Sequence, residues 1–445
     1  MNTPDAARAI PHLHVERTRM RNSLPPLTRD SAESFAGSVI LDEVAGAEGV
    51  LLWEALRSTL LWLEVRSEAR KRLFLSGARM ARLEHLSQAA PEAVIVAPLQ
   101  ELAQVLSDPD VVAPAGVAKA CREISDWADR SGRPSTALAF MQTAALADPR
   151  DAEAAYLTGR LGRLAAENAR AESWFWEAVA RSHVSGDPAS RALSFIGLGN
   201  LYRQVGKLSG ARRYQARALF VAKRNGLPQI AGMASHDLFV LAGERECGSD
   251  DAHEAEAHAV NALRWYGKGH RRLPSLAHDL AVFWMNRGQF ARALPVLRAV
   301  RPHIQEPREG LLTLGSIARA SGAVGDQETF DRVWDELEVV LHGVEAPPER
   351  AVAAPGAVLL ALAQGAESLG QWDRADQAAA CALKVAAERG EAEVTMWAEA
   401  VRDSARSGRA GAMRARPRPE SLGPGEDGIV REVVEYLATV ELEAA

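Results

Sequence analysis

The sequence predicts an all-α chain, an α-solenoid of antiparallel helix pairs, on three observations. Aromatic residues make up only 6% of the chain although hydrophobic residues reach an ordinary 47%. The interior must therefore be filled by small and aliphatic side chains, which suits closely packed helices better than an aromatic-rich sheet. Alanine recurs along the whole length, and small residues return at a fixed interval: Ser125 to Gly159 is 34 residues, as is Ala137 to Ala171. The 445 residues would otherwise suggest about three separate domains. A repeat array makes them one continuous stack.

Each unit can be read in turn. The clearest spans residues 191–225 and carries Leu198-Gly199, Tyr202, Gly206, Ala211 and Ala218-Leu219. Gly199 and Ala211 let two helices approach, Tyr202 wedges between them, and Gly206 occupies the turn. Upstream, Gly159, Ala171, Phe175 and Ala178 fall in matching places; before them come Ser125, Ala128, Gly132, Ala137, Met141, Ala144 and the closing Asp148-Pro149. A degenerate unit spans Ile230 to Tyr266, with Ala255, Ala262 and Leu263 in its second helix and a polar insertion around Gly243 to Asp251. Downstream, Leu280-Ala281, Trp284, Gly288, Ala293 and Leu297 repeat the pattern, and Leu314-Gly315, Ala318 and Gly322 follow 34 residues later. Leu362-Ala363, Ala366, Gly370, Ala375, Ala379 and Ala382-Leu383 make a further copy.

This order and spacing resembles the tetratricopeptide repeat, over roughly residues 114–408 and about seven units. The resemblance implies a right-handed superhelix whose first helices line one concave groove. Spacings of 40 and 48 residues between some copies imply longer helices or looped insertions, as in the longer-repeat regulatory members of that family.

The flanks read differently. Residues 1–37 carry Arg8, Arg17, Arg19, Arg21 and Arg29 with little helical periodicity, and are expected to form a mobile basic arm. Residues 38–113 regain helical spacing and read as an N-terminal cap or degenerate repeats. One greasy helix holds Leu51 to Leu63, and a second is opened by Arg70-Lys71-Arg72 and carries Leu73, Phe74, Met80, Leu83 and Leu86. Residues 409–426, rich in Gly, Arg and Pro, read as a linker. The tail, 427–445, reads as an amphipathic helix. It would either cap the last hydrophobic face of the array or serve as a tethered recognition helix for a partner or for the array's own groove.

Charge and cysteine usage narrow the function. With 52 basic against 58 acidic residues the net charge is −6 and the pI about 6.1, which argues against binding nucleic acid through overall positive charge. Cys121, Cys247 and Cys381 lie far apart, forming neither a metal-ligand pair nor a disulfide framework, and a reducing cytoplasm is expected. The greasiest stretch, Val50 to Val65, is broken by Glu54, Arg57 and Glu64, so no membrane span is expected.

Motifs for catalysis fall short one by one. His253-Glu254-Ala-Glu256-Ala-His258 resembles the zinc-protease helix but has one residue too many; a five-residue step turns the second imidazole about 140° away from the first. Gly267-Lys268-Gly269 lacks the remaining elements of a phosphate loop, and no G-x-S-x-G elbow is present. No catalytic residue, metal site or cofactor is expected, and the protein is read as a non-enzyme.

What remains is binding. The family resemblance places Arg122, Asp126 and Asp129, then Tyr156, Arg160 and Arg163, then Ile196, Asn200, Arg203 and Gln204 on the groove. Arg122, Tyr156, Arg160, Arg163, Asn200, Arg203 and Gln204 are the expected contacts to a protein or peptide, with an acidic segment as one candidate ligand and a merely solvated arginine face as the alternative. Asp126 stands where a carboxylate clamp of the family would want asparagine, and lysines are missing from the set. Further along, His278, Met285, Asn286, Leu312, Arg319, Leu360, Gln364 and Glu367 give a more apolar lining. The leading expectation is a protein–protein interaction scaffold or adaptor. The alternative is a ligand- or peptide-responsive regulator of transcription or signalling that acts through a partner.

Overall fold

A computed structural model describes residues 39–243, 249–345, 356–411 and 427–441. The basic arm, the centre of the polar insertion and most of the Gly/Arg/Pro-rich stretch lie outside the described residues. Every regular element within them is helical; there is no strand among the described residues. The chain divides into two compact units, residues 1–237 and 238–445.

In the first unit, α1 (Val39–Glu43), α2 (Gly46–Glu64), α3 (Ser67–Arg70), α4 (Ala78–Ala89) and α5 (Ala93–Ala103) precede three regular helix pairs. The pairs are α6 (Pro114–Arg130) with α7 (Pro134–Ala147), α8 (Ala152–Leu164) with α9 (Asn168–Ser185), and α10 (Pro188–Gln204) with α11 (Leu208–Arg224). The division of the chain falls within α12 (Pro228–Gly243), which pairs in sequence with α13 (Ser249–Tyr266). The second unit continues with α14 (Leu273–Asn286) and α15 (Phe290–Val300), α16 (Pro307–Val324) and α17 (Gln327–Glu345), α18 (Gly356–Leu369) and α19 (Trp372–Arg389), then α20 (Ala392–Gly411) and α21 (Gly428–Leu437). Consecutive helices pack against one another through each unit, the arrangement of an α-solenoid.

Helix starts follow from local chemistry. Proline stands at the first turn of α6, α7, α10 and α16, where its missing N–H costs nothing. Asp151 and Asp187 cap α8 and α10, accepting from Ala154 N at 2.8 Å and from Ala189 N at 3.0 Å. Helix ends are more uniform still. Within six pairs the first helix closes through the same turn, in which one residue at positive φ is followed by a backbone N–H that reaches back five positions. The bonds are Arg133 N to Ala128 O, Glu167 N to Gly162 O, Lys207 N to Tyr202 O, Gln289 N to Trp284 O, Asp326 N to Ser321 O and Gln371 N to Ala366 O. The positive-φ residue is Gly132, Gly206, Gly288, Gly325 and Gly370 in five of them, but Ala166 in the second.

Three expectations need correction. Gly322 is not the turn glycine of its unit; that is Gly325, and Gly322 lies one turn inside α16 against Gly365 of α18. The 34-residue frame is thus three residues out there, because α16 is longer than the helix it was matched to. Arg70-Lys71-Arg72 does not open the second N-terminal helix: Arg70 ends α3, and the next helix begins at Ala78, after Gly77 at φ 91°. Leu73 and Phe74 precede that helix, and Met80 is 69% exposed. The stretch expected to be linker from residue 409 is still helical to Gly411. The 40-residue spacing between Gly159 and Gly199 comes from longer helices: α9 has 18 residues where α7 has 14, and α10 has 17 where α8 has 13.

Candidate peptide-binding face

The expected contact residues sit on first helices of the first unit. Their spacing is set by Phe175 of α9, which is fully buried. A β-carbon on Gly159 of α8 would lie 2.7 Å from its ring, and one on Gly197 of α10 would lie 2.3 Å from it. Both glycines therefore exist to let this ring pass between the helices, and α8 and α10 come close enough to share a face.

On that face the arginines cluster. Arg163 is half-buried and donates from Nη1 to Gln204 Oε1 at 3.4 Å. Burial pulls its pKa below the ordinary value; Tyr156 opposes the shift, Arg160 and Arg203 add to it, and Asp237 opposes it. An arginine stays charged through such a shift. The shift reports a half-desolvated cation in the field of two more, an arrangement that an added carboxylate relieves. Arg160 is exposed and reaches Asp129 at 3.7 Å. Tyr156, half-buried, tilts against Phe175 with ring centroids 6.1 Å apart.

Asn200 is turned toward the protein. Its Oδ1 accepts from Nε2 of buried Gln215 at 3.2 Å, and the same nitrogen donates to Asp237 Oδ2 at 2.8 Å. Gly199 is glycine for this reason, since a β-carbon there would lie 2.5 Å from that amide nitrogen. Arg122 stands apart. It forks onto Asp151 and Glu153 at the start of α8, 2.7 Å to each. Burial works against its charge, but the two carboxylates outweigh it and hold its pKa above the ordinary value. Tyr156, Arg160, Arg163, Arg203 and Gln204 are thus brought together; Asn200 adjoins them through Gln215, and Arg122 belongs to the joint between helix pairs.

Gln215 and Asp237 were not among the expected residues, although one of them left a trace. Gln215 follows Met141 and Phe175 at the same place in successive second helices. A buried amide in an apolar repeat position needs partners, and its Nε2 finds them in Asn200 and Asp237.

In the second unit two residues of the more apolar lining, Met285 and Arg319, are engaged. Met285 is buried, and Arg319 lies over the Phe290 ring at 5.7 Å with its pKa lowered by burial. The near-zinc motif on α13 resolves into other contacts. His258 approaches Glu254 at 3.6 Å, while Glu256 accepts from Trp284 Nε1 at 2.6 Å and pairs with Arg292. No group of three or more His, Cys, Asp or Glu placed to hold a metal occurs among the described residues. No described helix is long and apolar enough to cross a membrane. Cys121 and Cys381 are both buried.

Set against models of protein families and against curated proteins, the chain matches none.

Proposed function

We propose that the helix pairs are tetratricopeptide-like repeats and that the chain is a cytoplasmic, non-catalytic interaction scaffold that holds an extended acidic peptide on the face shared by α8 and α10. One observation carries the reading: Arg163, half-buried, lies in the field of Arg160 and Arg203 with Asp237 as the acidic neighbour. Guanidinium forks suit carboxylates, and a rigid helix pair holds several of them in fixed register, which lowers the ordering cost of binding. Tyr156 and Gln204, both beside Arg163, offer an apolar rest and an amide partner. Specificity would come from spacing, set by the Phe175 wedge.

The test is fluorescence anisotropy with a labelled glutamate-rich peptide against the full chain. Reversing Arg160, Arg163 and Arg203 together to Glu is expected to abolish binding, and raising salt is expected to weaken it. Unchanged binding by the triple variant would sink the proposal.

A further inference from the structure

The helix α21 does not lie on the last helix of the array. It returns to the middle of the second unit and packs against α14 and α15. Val430, Val433 and Leu437, at helical spacing, are fully buried there. The floor they meet is apolar, made of Ala259, Val260 and Leu263 of α13 with Leu276, Ala277 and Leu280 of α14. Around that floor stand three cations, each matched by an acid of α21. Arg264 pairs with Glu432 at 3.2 Å, Lys268 pairs with Glu435 at 2.6 Å, and Arg292 pairs with Asp427. The turn Gly267-Lys268-Gly269 completes the seat, with Gly269 N donating to Thr439 Oγ1 at 2.9 Å.

The receptor side is organised by its own residues. Arg292 lies 4.3 Å over the Trp284 ring, pairs with Glu256 and donates to Gln289 Oε1 at 2.9 Å. Its guanidinium is therefore aimed by α13, α14 and α15, and meets the carboxylate that caps α21 through Ile429 N at 2.8 Å. A small apolar cavity remains between Ile429 and Val433 on one side and the α13–α14 floor on the other. In sequence, fifteen residues rich in Gly, Pro and Arg separate Gly411 from Asp427.

We propose that this groove is a docking site for an amphipathic helix of a partner protein, and that α21 is a resident placeholder which the partner displaces. The matching helix begins with an aspartate cap and carries acids five and eight positions later. At the place of Val433 it has a larger apolar residue, which fills the cavity. This site is separate from the arginine face of the first unit and does not depend on it.

The test uses the full chain and a fluorescein-labelled peptide of residues 426–441, made with Val433 or with Leu in its place. Reversing Glu432 and Glu435 to Lys in the chain weakens its own helix against Arg264 and Lys268. That variant is expected to bind either peptide about tenfold or more tightly than the wild type does, with the Leu peptide the stronger of the two. Adding Arg292→Ala to this background is expected to remove the gain. Because the Arg292 side chain is only 12% exposed, Arg264→Ala with Lys268→Ala, both at exposed positions, provides the same loss without touching the cluster around Arg292. Equal binding by wild type and the Glu432/Glu435 variant would overturn the proposal. So would a stronger Val peptide, or concentration-dependent dimers of the wild type with no gain in peptide binding, which would mean helix exchange between copies.

Discussion

Gly322 of α16 lies against Gly365 of α18 so closely that a β-carbon on Gly322 would sit 2.3 Å from the Gly365 carbonyl oxygen. The reverse is also true: a β-carbon on Gly365 would sit 2.4 Å from the carbonyl oxygen of Ala318. Backbone meets backbone here, so no side-chain rotation relieves an added methyl. Gly322→Ala is expected to lower stability by about 1–3 kcal/mol, with Gly365→Ala similar, measured by urea denaturation. Gly310→Ala, where a β-carbon would meet nothing, serves as the control. A loss at Gly310 equal to that at Gly322 would contradict the crossing.

Ala166 holds φ 60° in a turn where five other pairs use glycine. The left-handed conformation costs an L-residue roughly 1–2 kcal/mol, and glycine gives part of this back through its larger unfolded-state entropy. Ala166→Gly is expected to stabilise the protein by about 0.5–1 kcal/mol in thermal or urea unfolding. A destabilised variant would mean that the turn is not under this strain.

Those turns also show how much of the architecture could be read in advance. The helix pairs were legible because the repeat spends Gly and Ala at fixed places, for instance Gly132, Ala137, Gly206 and Ala211. The frame slipped at Gly322, where two glycines three residues apart serve different ends, one at a crossing and one in a turn. The arginine face was legible as positions on first helices. The partners of those positions were not, because Arg122 finds Asp151 and Glu153 at the start of the next pair. The seat of α21 was the least legible. An amphipathic pattern identifies a buried face, but only packing brings Asp427 to Arg292, far away in the chain.

Glu43 caps a helix from a distance. Its two carboxylate oxygens accept from Ser135 N and Thr136 N at the start of α7, 2.7 Å each. Burial opposes its ionisation, but those backbone donors outweigh it and hold the carboxyl below the usual range. The folded pKa is thus depressed. The stabilisation is fully present above the unfolded carboxyl's pKa and is lost as pH falls through the folded one. Glu43→Ala is expected to cost about 1 kcal/mol at neutral pH, and the gap from wild type to narrow in acid. A gap independent of pH would show that Glu43 acts through packing alone.

Gly197→Ala probes the wedge that spaces the arginine face. Its β-carbon would lie 2.3 Å from the Phe175 ring. The ring is walled in by Gly159 as well, so α10 must shift away from α8. The variant is expected to lose about 1–3 kcal/mol of stability and, at temperatures where it remains folded, to bind the glutamate-rich peptide more weakly. Lower stability with unchanged affinity would separate the wedge from the face.

The most direct measurement sets two arginines side by side. Arg122 is engaged by Asp151 and Glu153, whereas Arg163 lies among Arg160, Arg203 and Asp237 on the proposed binding face. Titrating the labelled glutamate-rich peptide into wild type, Arg122→Ala and Arg163→Glu is expected to give equal affinity for the first two. The third is expected to lose about tenfold or more. Equal affinity for all three, or a loss confined to Arg122→Ala, would contradict the assignment of this face as the binding surface.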